Sequence, residues 1–580
     1  MRGQTRTAAR RPAARARARA RSSSSSSSPS ASDSESVSLA RPAKRRKTAS
    51  SSSPSKLDAY RALLLQQQKP TADLTTPSLP PTRCHTLAYH VPLLLVDGGP
   101  RAAFLSWFDS VSSARAMPWR KPWIDPSSFA SPSELRAALE KRAYEVWISE
   151  IMLQQTRVAV VVDYWNRWMS KWPTIHDLAA ADTEDVLAAW RGLGYYSRAT
   201  RIHTAAQLAV ADQSMQGLLP SSAADLAEKI PGVGRYTAGA ISCIAFGRPA
   251  PMVDGNVLRV LSRQLGLYGN IKTDKAVIDL IWAAAEALVN AVALDGENDG
   301  DDEERAAAAD TRSDRPGRWG QALMELGSTV CAPRPDCGAC PITSTCRAYS
   351  EGLALLSKEK SRVSENGTAD MEDLCGVCQP FDDTDDIENQ PPPPPAATKG
   401  GKQATLSAFF AKSAVPAKPS AKPKVDIEGI VRHARRFPIK VVKKAVREEE
   451  TLVCAVVRAD GRYLIRKRPA KGLLAGLWEF PSSLLENAKG SKAAERKKRA
   501  KEFVEGLLNK DEVEYVGELG SVPWLFSHIR LTMHVHLFKI KGTEDAGVEG
   551  TTEARWSDSV DTESMGTGMR KCWELVKEAT

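Results

Sequence analysis

Four cysteines crowd into one short stretch, Cys331, Cys337, Cys340 and Cys346, and nothing else in the chain restricts its fold so tightly. They follow "WGQALMELGSTV", a segment of helical texture, and their spacing allows four thiolates to converge on one centre. An iron-sulfur cluster and zinc both fit such a donor set. Unliganded core thiols are a poor account of this density. Ten cysteines in a secreted chain would suggest disulfides, whereas crowding of this kind points to metal in a reducing compartment. No uninterrupted apolar run approaches the ~18 to 20 residues that span a bilayer, and the N-terminus lacks the apolar core of a secretory signal. The expectation is a soluble intracellular protein with no membrane partner.

At 580 residues the chain exceeds one core, so two or three domains plus tails are expected. Residues 1–80 read as a disordered basic tail: eight Arg fall in the first 21 residues, "SSSSSSSPSASDSES" follows, and "AKRRK" spans Ala43 to Lys47. That last cluster suits nuclear import. The Arg- and Ser-rich opening, with no acid before Asp33, suits a mitochondrial transit peptide, and a solvated arm touching DNA fits equally. Residues 81–350 turn to helical periodicity. In "YEVWISEIMLQQT" the residues Tyr144, Trp147, Ile148, Ile151 and Met152 recur at helix spacing, and the domain is expected to be mostly α. The acidic "DGENDGDDEE", Asp295 to Glu304, is too charged to pack and reads as a surface insertion. Residues 351–440, with "PPPPP" and "PAKPSAKPK", read as an extended polar linker. In residues 441–580, "TLVCAVVRADGRYLIRKR" predicts two strands about an Asp460–Gly461 turn, within a smaller α+β domain. The net charge of +11 suits a polyanion such as nucleic acid, although much of it sits in tails and linkers.

"LAEKI", then "PGVG", then "RYTAGAISCIAF" predicts a helix, a tight turn and a second helix. Glycine lets the backbone approach a ligand closely, and free amides at a helix N-terminus hold phosphate. Gly232, Val233, Gly234 and Arg235 thus form a candidate DNA-backbone clamp, the helix-hairpin-helix pattern. A plain helical turn is the alternative. Just past it, "VDGNV" delivers a lone carboxylate, Asp254, which also reads as an N-cap before "NVLRVL".

A helix-hairpin-helix, an Asp shortly after it and a cysteine cluster together resemble the endonuclease III superfamily of DNA glycosylases. Within it, "VWISEIMLQQT", "GLGYYSRA", "PGVGRYTAGA" and "VDGNV" are similar to adenine DNA glycosylases of the MutY type, across the helical domain and more loosely the C-terminal one. The resemblance implies an all-α pair of lobes with a DNA cleft between them, and a 4Fe-4S cluster on the four cysteines. The family's first cysteine gap is usually six residues, and here Cys331 and Cys337 enclose five. It further implies Glu150 as the proton donor to the departing adenine and Asp254 as the carboxylate that stabilises the positive sugar, with Tyr236 and Asn256 supporting them by hydrogen bonds. Periodicity places Glu150 on a helical face with Val146, Leu153 and Gln154, where desolvation raises a carboxyl pKa, although a solvated surface Glu is the ordinary alternative. Family members that cleave the backbone carry a lysine where this chain has Tyr236. Tyrosine cannot form that Schiff base, so a monofunctional enzyme is implied. Gln155 and Tyr195 match the residues that wedge into the duplex as the base flips out.

"GLLAGLWEFP", Gly472 to Pro481, resembles the MutT-like (Nudix) fold, whereas "AAERKKRAKEFVEGLL" lacks the paired glutamates that bind magnesium there. The resemblance therefore implies a domain that reads rather than hydrolyses, and Phe526, Ser527 and His528 match its loop for 8-oxoguanine. "QATLSAFF" offers Gln403, Leu406, Phe409 and Phe410 in a linker with no core to receive them, and resembles the sliding-clamp (PCNA) interaction box. Cys375 and Cys378 in "CGVC" read as a second metal pair or as incidental thiols. With His90 they resemble the interdomain zinc element of animal members. Taken whole, the resemblance implies a nuclear enzyme, with the mitochondrion as a second compartment. It would act as a monomer on double-stranded DNA, beside other base-excision-repair proteins, to excise adenine opposite 8-oxoguanine or guanine. A pyrimidine-damage glycosylase with lyase activity and a catalytically idle adaptor for DNA and clamp are the rivals. Tyr236 and the C-terminal domain speak against the first, and the presence of both Glu150 and Asp254 against the second.

Overall fold

The computed structural model of the chain describes residues 55–66, 76–80, 83–295, 312–358, 374–381, 427–441, 446–469, 472–485, 491–508, 513–526, 528–541 and 554–580. The expectations for residues 1–54 of the basic tail, for Gln403, Leu406, Phe409 and Phe410, for Ser527 and for most of the acidic insertion lie outside these residues. The reading of residues 1–80 as a disordered tail needs correction at its end, because Lys56–Leu65 is a helix whose Tyr60 and Leu64 are buried in a core of the helical part.

Helices α1 (Lys56–Leu65), α2 (Gly98–Val111) and α3 (Pro132–Leu153) lead into α4 (Val158–Lys171), α5 (Ile175–Ala180), α6 (Thr183–Ala189), α7 (Ser197–Ala211), α8 (Ala223–Lys229) and α9 (Arg235–Phe246). Then follow α10 (Gly255–Gln264), α11 (Lys275–Leu294), α12 (Arg315–Thr329), α13 (Arg347–Lys358) and α14 (Ile427–Ala434). Local chemistry sets many of their starts: Ser131 caps α3 with Pro132 in its first turn, and Thr174 and Asp177 form a reciprocal capping box on α5. These helices bury two separate cores. One gathers Trp147, Trp168 and Trp190 from α3, α4 and the end of α6 with most of α9, and the other gathers Phe104, Val257, Ile281 and Trp319 from α2, α10, α11 and α12. Tyr236 and Met324 pack against both, so they mark the seam between the lobes. Helix α11 is long and apolar enough in composition to cross a membrane, a feature that the charges within "KAVIDLIWAAAEALVNAVAL" hide from a search for unbroken apolar runs. Its Leu280, Ile281, Ala284 and Leu288 are buried in the second core, which accounts for that composition.

The linker expectation needs correction in its described parts. Helix α13 runs through residue 350 and packs beside α14, and Glu351, fully buried, accepts hydrogen bonds from Arg83 at 2.6 Å and pairs with His433 at 2.8 Å. Phe381 stacks on Tyr268 with ring centroids 4.2 Å apart, and Phe437 closes the same small core. Ile430, Phe381 and Phe437 are too few and too scattered to make a periodic pattern of their own. The helical lobe supplies the core that they enter.

The C-terminal part is one mixed sheet between two helices. Its strands are β1 (Arg447–Arg458), β2 (Tyr463–Lys467), β3 (Trp478–Glu479), β4 (Ser482–Leu485), β5 (Val513–Leu525), β6 (Ile529–Ile540) and β7 (Ala554–Ser557). Order runs β3-β2-β1-β6-β5, with β4 on β1 and β7 on β2. β1 and β6 pair in parallel from Arg447↔Ile529 to Arg458↔Ile540, and α15 (Ala493–Leu507) and α16 (Thr567–Ala579) cover opposite faces. Both faces of a central parallel pair are buried, which is why "LVCAVV" reads as an unbroken apolar run. This sheet unit rests on the first lobe: Leu477 is fully buried in that lobe's core, and Arg191 donates to the Thr562 and Glu563 carbonyls at 3.0 and 3.1 Å.

Candidate active site

A cleft of about 700 Å³ opens along the seam, lined by Glu150, Tyr236, Asp254 and Asn256. Glu150 lies near the C-terminal end of α3, where every residue from Arg142 to Met152 is buried, and only 5 % of it is exposed. The Tyr236 hydroxyl, in the first turn of α9, donates to its Oε2 at 2.6 Å. Burial pushes the Glu150 carboxyl up to about 7, with Asp254 adding to the rise and the Tyr236 hydrogen bond and Arg120 opposing it. Burial, then the charge of Glu150, raises the Tyr236 phenol well above its usual value. A carboxyl raised this far keeps a large share of its proton near neutral pH, where an ordinary glutamate is almost fully ionised.

Asp254 does both things its sequence position suggests. It is the N-cap of α10, with Oδ1 accepting from the Asn256 and Val257 amides at 2.9 and 2.8 Å, and Asn256 Nδ2 donates to its Oδ2 at 2.8 Å. Three donors fix the carboxylate at the cleft wall. Behind it, Arg259 donates to Asn256 Oδ1 at 2.9 Å, to the Gly327 carbonyl at 2.7 Å and to the Cys331 carbonyl at 3.1 Å. Gly327 permits this close approach, since a Cβ there would meet that of Asn256 at 2.8 Å.

Cys331, Cys337, Cys340 and Cys346 line one shared cavity. Burial above all lifts Cys337 to about 11 and Cys340 to about 12, so a strongly cationic centre is needed to hold these sulfurs as thiolates. Arg263 donates to Cys331 Sγ at 3.2 Å and also reaches the Ala434 and Phe437 carbonyls, tying α14 to the cysteine loop. A second group of possible metal ligands is compact. One ligand atom each from His85, His90, Cys375 and Cys378 falls within 4.8 Å of all the others, a scale that suits zinc bonds of about 2.0 to 2.3 Å. The Nδ1 atoms of His85 and His90 lie against Ser78 Oγ at 3.2 Å and the Leu265 carbonyl at 2.9 Å, which leaves both Nε2 atoms facing inward, 3.1 Å apart. His85 is the member that the sequence reading missed. Its spacing from His90 in "HTLAYH" is the signal that points to it.

In the hairpin, Gly232 has φ +83° and Gly232, Gly234 and Arg235 are exposed, while Val233 is buried and anchors the turn. The Arg235 guanidinium stacks 3.8 Å from the Trp282 ring centroid. Gln155 and Tyr195 both adopt left-handed backbone, φ +57° and +50°, a conformation that is strained for non-glycine residues and collects at functional positions. Tyr195 is 49 % exposed. Phe526 and His528 lie far from these in sequence, at the tip between β5 and β6, where the Phe526 amide donates to the Ile529 carbonyl at 2.8 Å.

The chain is similar to known proteins along most of its length. The family model described as HhH-GPD superfamily base excision DNA repair protein matches residues 148–286, and a NUDIX domain model matches residues 452–575. The adenine DNA glycosylase of Rattus norvegicus is 35% identical over 486 residues, which covers 82% of this chain and 78% of the relative. That of Homo sapiens is 34% identical over 487 residues, 82% of this chain and 74% of its own. That of Schizosaccharomyces pombe is 33% identical over 463 residues, 78% and 84% respectively.

Proposed function

The chain belongs to the adenine DNA glycosylase family, and from that premise we propose that it excises adenine mispaired with 8-oxoguanine or guanine in duplex DNA and stops at the abasic site. The observation that carries the reading is a buried Glu150, raised to about 7, in the same cleft as the triply hydrogen-bonded Asp254. Glu150 gives its proton to a ring nitrogen of the extruded adenine as the C1′–N9 bond breaks. Asp254 stabilises the positive charge that develops on the sugar, and water then adds at C1′ and gives up its proton to the now-ionised Glu150 carboxylate. Tyr236 holds the Glu150 carboxyl and Asn256 holds that of Asp254. A phenol at position 236 supplies no amine for a Schiff base, so strand cleavage by lyase chemistry is weak or absent.

Gln155 and Tyr195 fill the space left by the flipped base, and the amides of Gly232 to Arg235 grip a backbone phosphate. Phe526, Ser527 and His528 read the opposite base. The four cysteines of the 331–346 loop hold a 4Fe-4S cluster, and His85, His90, Cys375 and Cys378 hold zinc; when bound, each ties its loop into one conformation. Gln403, Leu406, Phe409 and Phe410 dock on the sliding clamp, other repair proteins gather at the same lesion, and the basic "AKRRK" directs the chain to the nucleus, with the mitochondrion as a second address.

Single-turnover assays on adenine opposite 8-oxoguanine, adenine opposite guanine and an oxidised pyrimidine test this reading, each with and without alkali and with borohydride trapping. Alkali-dependent scission at adenine, fastest opposite 8-oxoguanine, is expected. Scission at the pyrimidine without alkali, with a trapped adduct, would overturn it. Phe409→Ala with Phe410→Ala should weaken clamp binding and leave the excision rate on short duplexes unchanged, and an unaltered clamp affinity would remove the box from the account.

A further inference from the structure

Arg198 has no place in the chemistry above, yet its position is energetically expensive. It is 8 % exposed and sits in the first turn of α7, where the helix dipole disfavours a cation. Burial pushes its pKa down to about 10 with only Tyr195 opposing, and its Nε finds no partner. A buried cation without a matching carboxylate ordinarily destabilises a fold. What the guanidinium does instead is accept neighbours from two loops at once. Nη1 donates to the carbonyls of Ile151 at 2.6 Å and Gln154 at 2.8 Å, at the end of α3. Nη2 donates to those of Leu193 at 3.2 Å and Gly194 at 2.9 Å, immediately before Tyr195. The Trp190 and Tyr195 rings lie 5.1 and 5.5 Å from it.

Both of these loops are strained at the next residue along, Gln155 in one and Tyr195 in the other. We propose that Arg198 is a positioning residue that locks the Gln155 and Tyr195 turns to each other and to the helix carrying Glu150, so that base extrusion delivers adenine in register with the acid. This rests on the reading of Gln155 and Tyr195 as the duplex wedge. Four carbonyls with fixed directions require a planar fork, and a lysine ammonium cannot span them.

The test is the full chain with Arg198→Lys, assayed in single turnover on adenine opposite 8-oxoguanine and on adenine opposite an abasic site, where the base is unpaired and extrusion is easier. The expected loss on the paired substrate is on the order of 10- to 100-fold, as for a misplacement of about 1 Å, and several-fold smaller on the unpaired one. Fluorescence of 2-aminopurine beside the target should show slower unstacking. An equal loss on both substrates, or no loss, would overturn the proposal. Gln155→Ala and Tyr195→Ala test the wedge reading by themselves: if both keep wild-type rates on the paired substrate, that reading fails first. Should Arg198→Lys not fold, Arg198→Gln, which keeps a planar donor but loses the fork, carries the same comparison of paired against unpaired substrate, and again an equal loss on both would overturn the proposal.

Discussion

Glu150 and Tyr236 share one short hydrogen bond at the seam, and the same burial that raises the Glu150 carboxyl also works against the fold. Its carboxyl rises from 4.5 to about 7, so the folded chain holds this proton more tightly than the unfolded one. The associated stability is fully present below pH ~4.5 and is lost as pH climbs through ~7, amounting to about 3 kcal/mol by the linkage relation. Glutamine at position 150 keeps an acceptor for the Tyr236 hydroxyl and never ionises. Glu150→Gln is therefore expected to abolish excision and, in denaturant titrations, to stabilise the protein at pH 8 by up to about 3 kcal/mol, with the gain falling below about 1 kcal/mol near pH 5 and vanishing below about pH 4.5. A pH-independent gain, or none, would show that Glu150 is not held neutral by burial. In the wild type the same carboxyl predicts a single-turnover rate that declines as pH rises above about 7. A rate flat to pH 9 would assign the proton to another group.

The elements differ in how far the sequence discloses them. Helix α3 and the hairpin of α8 and α9 were legible because their apolar spacing and glycine punctuation are local properties. Asp254 was legible as a cap for the same reason. Arg259 was not, because its role is set by three acceptors on α10, α12 and the cysteine loop that only tertiary packing assembles. The described parts of residues 351–440 were misread on similar grounds, as their buried residues borrow a core from elsewhere. Arg259→Gln loses a donor set that joins Asn256 to the Cys331 carbonyl, so excision should fall by roughly tenfold or more and iron should be released faster to a chelator; unchanged iron retention with a lowered rate would confine Arg259 to Asp254. If the two metals sit as proposed, Cys378→Ser should cut zinc to well below one ion per chain in elemental analysis while leaving iron intact. His85→Ala should do the same, and full zinc in the His85 variant would return the fourth position to another ligand.

Across the whole molecule, the sheet unit is anchored beside the Tyr195 turn. Arg191, a few residues before that tyrosine, donates to the Thr562 and Glu563 carbonyls. Trp478 Nε1 donates to Glu184 at 3.2 Å, and the Arg555 guanidinium lies 3.7 Å from the same carboxylate. Leu477 inserts into the core of the helical lobe. The hairpin tip at Phe526 and His528 is therefore carried on a scaffold whose footing is the loop that holds Tyr195, and a shift at that footing moves the two relative to each other. Arg191→Ala removes hydrogen bonds from a charged donor, worth about 1.5 to 3 kcal/mol in total, without opening the core around Leu477. The fold should persist while docking weakens by roughly 10- to 100-fold. On the proposed reading of that loop as the contact to 8-oxoguanine, excision of adenine opposite guanine draws little on it and should change by less than about threefold, whereas excision opposite 8-oxoguanine should fall by roughly tenfold as recognition uncouples from extrusion. The ratio of the two single-turnover rates is the measurement. If both rates fall together, Arg191 supports the Tyr195 turn alone. If neither falls, Leu477 and the Glu184 contacts suffice to seat the sheet unit.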